Sequence, residues 1–284
     1  MTPALDIIIV NFNTRADVLA CLDSLTRYPP SMPHEIVVVD NASNDGSVEA
    51  IRSQAPRVRL IALPRNAGFG AANNVAFRES AAPLVLFLNS DTRVNAGAID
   101  TLVARLSETG AVAAGPRLVD AEGRPEIPYG AMLSPFTEMV QLARQRAARS
   151  SSAAARRYVE FLMSREREVD WVSGACLLVR REAADAAGVF DERFFLYEED
   201  VDFCASLRRA GGRILYTPRA EIIHSRGRSR SAAPGLVNDA YDRSHLAFYA
   251  KHAPGWVPWL RLWLKLRGRG TMPDELRGGG DPAP

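Results

Sequence analysis

The chain has 284 residues, 47% hydrophobic and 24% charged, with a formal net charge of +2. This length supports one large domain, or one domain with an appendage, around a full core. The near-neutral balance gives no case for a nucleic-acid binder, and no run approaches the ~20 apolar residues that a membrane span needs. Cys21, Cys176 and Cys204 are far apart and form no C-x-x-C pair, so they read as small buried hydrophobes of a reducing compartment. The N-terminus runs into Ile7-Ile8-Ile9-Val10 with Asp6 in front and no basic stretch. No signal peptide is expected, and the protein is expected to be cytosolic, at most peripheral to a membrane.

In chain order, Ile7–Val10, Ile36–Val39, Val58–Leu63, Leu84–Leu88 and Val112–Ala114 read as buried strands. Between them, 15–27, 46–54, 70–81 and 96–108 have helical spacing, the first burying Val18, Leu19, Leu22 and Leu25 on one face. This alternation predicts an α/β sandwich with a mostly parallel sheet flanked by helices. The segment 129–168 breaks the rhythm and suggests two helices around a loop at Ser150-Ser151-Ser152. Its arginines read first as a solvated helix face, with a phosphate-meeting surface as the alternative. Pattern returns with Cys176–Val179, Ile214–Tyr216 and Ile222–Ile223; the last forty residues read as a tail, and 277–284 as disordered.

In open α/β sheets, ligands bind beyond the carboxyl ends of the strands, so the residues after each strand are the candidates for chemistry. Asn11-Phe12-Asn13-Thr14 follows the first. Asp40-Asn41-Ala42-Ser43 follows the second; turn and cap formation accounts for Ser43, Asp45 and Gly46 but leaves Asp40 at a strand tip, able to accept from a base N–H or a ribose hydroxyl. Asn66-Ala67-Gly68-Phe69-Gly70 follows the third, with Asn73 where a dinucleotide fingerprint has its last glycine; that reading is rejected, and the glycines fit a loop whose backbone approaches a ligand closely. Asn89-Ser90-Asp91 follows the fourth, placing two oxygen-bearing side chains at i and i+2 on one side of an extended segment, suited to Mg²⁺ or Mn²⁺. His224 ends the last strand, before a loop beginning Ser225-Arg226-Gly227.

Behind Phe194-Phe195, the stretch Glu198-Glu199-Asp200-Val201-Asp202 places four carboxylates in five positions. Acidic residues favour the first turn of a helix, where they meet the positive end of its dipole. Two would serve that purpose; four behind aromatics suggest the edge of an active site. Near the C-terminus, Trp256, Trp259 and Trp263 alternate with leucines and cations, as a membrane-interface segment would, or a terminal helix that uses its tryptophans as core.

Taken in order, Val10-Asn11-Phe12-Asn13, Val39-Asp40-Asn41-Ala42-Ser43, Asn66-Ala67-Gly68-Phe69, Asn89-Ser90-Asp91, Trp171-Val172-Ser173-Gly174-Ala175, Phe194-Phe195 with Glu199-Asp200-Val201-Asp202, and His224 resemble the family 2 glycosyltransferases of the GT-A fold, in particular the bacterial rhamnosyltransferase-like branch. The resemblance covers about 5–230 and implies a GT-A domain over 1–230, a helical insert at 129–168 on the acceptor side, and a C-terminal helical extension over 231–284. It implies that Asp40 reads a pyrimidine base, that Asn11, Asn13, Asn66, Gly68, Asn89 and Ser90 line the donor nucleotide, and that Asp91 and His224 hold Mg²⁺ or Mn²⁺. Asp200 is then the catalytic base, with Glu199 holding the acceptor or orienting the base, and Trp171, Gly174 and Arg226 lie on the acceptor side. Asn89 replaces the first aspartate of a strict D-x-D and removes one negative charge from the metal site. The implied activity is inverting transfer of L-rhamnose from dTDP-rhamnose to a glycan or polyprenyl-linked precursor of cell-surface polysaccharide. The alternatives are a UDP-hexose donor, or an idle nucleotide-sugar or glycan-binding module; a sugar-nucleotide pyrophosphorylase would want a Gly-rich basic loop where Asn11-Phe12-Asn13-Thr14 stands.

Overall fold

A computed structural model describes residues 3–225 and 234–266, without the side chains of 234–239. Strands β1 (Leu5–Asn11), β2 (His34–Asp40), β3 (Arg59–Ala62) and β4 (Leu84–Asn89) form a parallel half-sheet in the order β3-β2-β1-β4, joined by helices α1 (Arg15–Arg27), α2 (Ser47–Gln54) and α3 (Phe69–Arg78). Strands covered on both faces read as unbroken apolar runs, and all seven residues of β1 are buried. Because side chains alternate along a strand, Ile8, Val10, Val37 and Val39 enter one core while Ile7, Ile9 and Val38 enter the other. The second core is closed by α1, α2 and α4 (Ala98–Thr109); the first is closed by α3, α6 (Ala153–Met163) and α8 (Glu199–Arg209).

Beyond β4 the sheet becomes mixed. A short β5 (Thr92–Val94) turns away, α4 leads into β6 (Ala113–Val119), and β10 (Cys176–Arg180) inserts antiparallel between β4 and β6. An antiparallel strand begins where its parallel neighbour ends, so β10 brings Ser173-Gly174-Ala175 to the end of β4, where the Asn89 N–H donates to the Ala175 carbonyl (3.0 Å). Periodicity reports burial and not direction, which is why the strand pattern alone suggested a mostly parallel sheet.

The insert contains α5 (Pro135–Ala148) and α6 with a break between them, flanked by β7 (Tyr129–Gly130), β8 (Arg167–Val169) and β9 (Trp171–Val172). Ile214–Tyr216 and Ile222–Ile223 belong to one long strand, β11 (Ile214–His224), whose register on β6 shifts between Thr217 and Glu221. Pro218 lies in this interval; with no N–H to give the ladder, it suits an irregularity.

Part of the expected tail is core. After α7 (Arg181–Ala187) and α8, helix α9 (Pro234–His252) buries Leu246, Phe248 and Tyr249 in the domain. A 3₁₀ turn (Pro254–Trp256) leads to α10 (Val257–Leu266), which turns Val257, Leu260 and Leu264 inward. Trp256, Trp259 and Trp263 are 48%, 66% and 43% exposed, so the tryptophans are not core residues. The disorder expected for 277–284 lies outside the described residues.

Candidate active site

The ends of β1, β2 and β4 meet in a network built mostly of neutral groups around one carboxylate. Asn11 Nδ2 donates to Asp40 Oδ2 (2.8 Å) and to Ser43 Oγ (3.2 Å), while the Ser43 N–H donates to Asp40 Oδ1 (2.8 Å). Thr14 Oγ1 donates to Asn11 Oδ1 (2.8 Å) and lies 3.0 Å from Ser90 Oγ. Asn13 receives the Asn44 N–H, and its own N–H donates to Ser43 Oγ. Asn41 grips the next loop: its Nδ2 donates to Asn66 Oδ1 (2.9 Å) and its Oδ1 accepts the Ala67 N–H (2.8 Å). Asn13 and Ala42 both have positive φ, 52° and 65°, which costs a non-glycine residue about 1–2 kcal/mol and persists where surroundings demand it.

These bonds place Asn11, Asn13, Asp40, Asn66 and Ser90 together, but not all at the surface. Asn11, Asp40 and Ser90 are only 0%, 1% and 7% exposed, because the loop after each strand folds over its tip. They brace the loops, while Asn13, Asn66, Asn89 and Asp91 keep accessible surface. Asp40 retains acceptor capacity, since a carboxylate offers about four lone-pair sites and two are used here. Gly68 has φ +90°, and a Cβ there would lie 2.5 Å from the Phe195 carbonyl oxygen, which accepts the Phe69 N–H. Only glycine lets the Asn66 loop close against the Phe194-Phe195 loop.

At the end of β4, Asn89 Oδ1 is buried with no hydrogen-bond partner, and Asp91 Oδ1 lies 3.3 Å from His224 Nε2 at the end of β11. His224 Nδ1 is 3.0 Å from Glu126 Oε2. Burial disfavours the imidazolium, but Asp91 and Glu126 outweigh it and push the His224 pKa up to about 9. A carboxylate on one imidazole nitrogen, with the other nitrogen facing a second oxygen donor, is the arrangement that orients metal-binding histidines. Among the described residues, no group of three His, Cys, Asp or Glu side chains could hold a metal ion by itself. Asp91 and His224, with the unpartnered Asn89 oxygen nearby in sequence, fit a hard cation completed by ligand oxygens. Glu126 escaped the sequence reading because it lies in a loop after β6 with no motif around it.

The acidic stretch divides into two pairs. Glu198 and Asp202 are tied to α9: Glu198 Oε1 to His245 Nδ1 (3.1 Å), Asp202 Oδ2 to Lys251 Nζ (2.8 Å) and Asp202 Oδ1 to His252 Nε2 (2.6 Å). Glu199 and Asp200 enter α8 behind two left-handed residues, Tyr197 (φ 70°) and Glu198 (φ 65°). Glu199 is buried against α3, and its Oε2 has no partner. Burial, then the charges of Asp200 and Glu198, hold its pKa well above the ordinary carboxylate range. Asp200 is partly exposed, its Oδ2 accepting the Gly174 N–H (2.7 Å) and its Oδ1 the Val201 N–H (2.8 Å). Burial of the carboxyl raises its pKa too, against those two bonds. A Cβ on Gly174 would lie 3.2 Å from Asp200 Cβ, so glycine permits this approach.

One residue expected on the acceptor side is placed differently. Trp171 is 8% exposed and packs inward against Gly130, its indole N–H donating to the Ala131 carbonyl (2.8 Å); a large ring on the short β9 is worth more in the core. Arg226 lies outside the described residues. A cleft of about 570 Å³ at the start of β11 holds Arg208, Arg209 and Arg213, but these arginines already engage Asp170, His252 and Glu168, and it lies at the strand end opposite His224.

A half-parallel sheet carrying paired asparagine loops, an Asp–His pair and a presented carboxylate is the architecture of a GT-A glycosyltransferase. The family model "Glycosyl transferase family 2" matches residues 6–185, and the chain belongs to that family; it is a glycosyltransferase. It is 32% identical to N-acetylglucosaminyl-diphospho-decaprenol L-rhamnosyltransferase of Mycobacterium tuberculosis, over 98% of this chain and 95% of that protein. It is 25% identical to the low-salt glycan biosynthesis hexosyltransferase Agl10 of Haloferax volcanii, over 79% of this chain and 68% of that one. Among solved structures, the mannosyltransferase PcManGT of Pyrobaculum calidifontis, in complex with GDP-Man and Mn²⁺, superposes with a TM-score of 0.58 at 17% identity, covering 92% of this chain and 68% of that one. GalNAc-T7 with UDP, GalNAc and Mn²⁺ gives 0.59 at 16% identity, covering 88% and 50%.

Proposed function

We propose that the protein is an inverting rhamnosyltransferase that moves L-rhamnose from dTDP-rhamnose to a hydroxyl of a lipid-linked glycan precursor. The observation that carries the reading is the presented Asp200, oriented by the Gly174 and Val201 N–H groups at the same end of the sheet as the nucleotide-type loops. Similarity along nearly the whole chain to a rhamnosyltransferase named for a decaprenol-linked substrate supports both sugar and acceptor class.

In this mechanism Asp200 removes the proton from the acceptor hydroxyl as that oxygen attacks the anomeric carbon from the face opposite the leaving nucleotide. The two N–H groups fix the direction of the basic lone pair, and the raised pKa makes the carboxylate a better proton acceptor. Glu199, whose environment favours the neutral acid, supports Asp200 from beneath without a competing charge. Asn13 and Asn66 line the donor, and Asp40, beneath its loop, holds Asn11 and the Ser43 N–H in place behind them. Asp91 and His224, oriented by Glu126, would hold Mg²⁺ or Mn²⁺ together with donor diphosphate oxygens, Asn89 adding a neutral oxygen in place of a charge. The cation supplies Lewis-acid stabilisation of the departing diphosphate.

The outer face of α10, with Trp259, Trp263, Leu262 and Leu266 beside Arg261 and Lys265, and Trp256 in the turn before it, suits the interface of an anionic membrane. No helix among the described residues is long and apolar enough to cross a membrane. A peripheral position at the cytoplasmic leaflet brings a polyprenyl-linked acceptor to the site.

The test is nucleotide release by purified protein with Mn²⁺ or Mg²⁺ against dTDP- and UDP-sugars, with membrane extract as acceptor source. Turnover of dTDP-rhamnose, reduced about 10²–10⁴-fold in Asp200→Asn with nucleotide binding retained, is expected. Turnover of a UDP-sugar alone would replace the donor assignment. Tight nucleotide binding without turnover would favour the binding-module reading that Asn89 permits.

A further inference from the structure

His245 stands outside the sheet-end site, yet it is wired to it. It is buried in α9 between two carboxylates, its Nδ1 3.1 Å from Glu198 Oε1 and its Nε2 3.3 Å from Glu138 Oε2 on α5. Tyr249 OH donates to the other oxygen of Glu138, and the Tyr241 ring stacks on the imidazole at 5.5 Å and 15°. One residue away, Ser244 Oγ donates to the Leu196 carbonyl (2.8 Å). Two of these contacts, His245–Glu198 and Ser244–Leu196, hold the Leu196-Tyr197-Glu198 turn, and the two to Glu138 tie the same helix to α5. That turn contains two consecutive non-glycine residues in the left-handed region, and Glu199 and Asp200 follow it directly. A left-handed pair costs about 1–2 kcal/mol per residue and needs external restraint.

We propose that His245 is a positioning residue for glycosyl transfer: by bridging Glu198 and Glu138 it holds the left-handed turn that delivers Glu199 and Asp200, and ties the placement of the base to α5. The inference rests on the reading of Asp200 as the base. Its physical basis is charge as well as geometry. Burial disfavours the imidazolium, but the hydrogen bonds and charges of Glu138 and Glu198 outweigh it and push the His245 pKa up to about 10. The groups facing His245 are Glu138 and Tyr249, Glu198, and the Tyr241 ring, with Glu199 and Asp200 behind Glu198. A cation here opposes the burial that raises the Glu198 pKa, and Glu198 is in turn one of the charges that raise the pKa of Glu199, next to Asp200.

The decisive comparison is wild type, His245→Gln and Glu198→Gln, assayed for donor turnover across pH and for nucleotide affinity by calorimetry. In His245→Gln, kcat is expected to fall at least about tenfold with donor KM and nucleotide Kd unchanged. The acid limb of its kcat–pH profile should move up, because an unbalanced Glu198 makes the base harder to ionise. In Glu198→Gln, which keeps an acceptor for the imidazole but removes the charge, that limb should move down. This second variant decides the question if His245→Gln does not fold. Limbs that stay in place in the folded variants, or a His245→Gln loss matched by loss of nucleotide binding, would overturn the proposal. Absence of turnover in wild type would instead remove the glycosyl-transfer reading itself.

Discussion

The two sides of the site are held by different physics. At the strand tips, Asn11, Asn13, Asn41, Ser43 and Asn66 satisfy one another with amide and hydroxyl groups around the single carboxylate of Asp40. At the entry to α8, four carboxylates are packed into five positions, and order comes from partners on α9: His245 on Glu198, and Lys251 and the His252 ring on Asp202. The strand-tip network is fixed mainly by bonds between amide, hydroxyl and backbone groups, with one carboxylate at its centre. The charged edge holds carboxylates whose proton affinity is set by burial and by their neighbours. On the proposed reading, the first side seats the donor and the second accepts a proton at the moment of attack.

That contrast can be broken from either side. The largest stability effect is expected from Asp202→Asn, which takes the buried carboxylate from the His252 ring and leaves Lys251 with Asp191 alone. Removing one partner of a buried charge cluster costs about 3–5 kcal/mol, to be read from urea unfolding, with detachment of α9 visible as faster amide exchange there. A variant as stable as wild type would mean that these partners do not hold this edge. Asn11→Ala should cost less, about 1–3 kcal/mol, by taking one donor from Asp40 and the acceptor from Thr14. It should also weaken nucleotide binding without moving the pH profile of turnover, and a shifted profile would break the division between a neutral and a charged side. The smallest effect on the domain is expected on the outer face of α10: Trp259→Ser with Leu266→Ser, both exposed, should leave nucleotide turnover in solution nearly intact while releasing the protein from anionic liposomes in co-sedimentation. Binding unchanged by the double substitution would sink the membrane role of α10.

Much of the half-sheet was legible. Strict apolar runs marked β1, β2 and β4, and the polar residues after each run are the ones gathered at the sheet end. The sequence pattern also placed Asp91 and His224 at strand ends, and the structure brings them within 3.3 Å. It could not show that β10 enters antiparallel, since burial of alternate residues is the same in either direction. Nor could it distinguish Asp40 and Ser90, covered by their own loops, from Asn13 and Asn66, which keep surface. Trp171 is expected on the acceptor side only through the family resemblance; its inward turn depends on the hole that Gly130 leaves in a neighbouring strand.

The acidic stretch shows the boundary most sharply. Local sequence determined that four carboxylates would crowd the start of a helix, because composition and dipole preference are properties of adjacent residues. Which of them would be neutralised, which buried without a partner and which presented was decided by α9 and by the Gly174 turn, 26 to 50 residues away along the chain. Charge partners at that separation leave no periodic trace. They meet only because the sheet places β10 beside β4 and folds α9 back across α8.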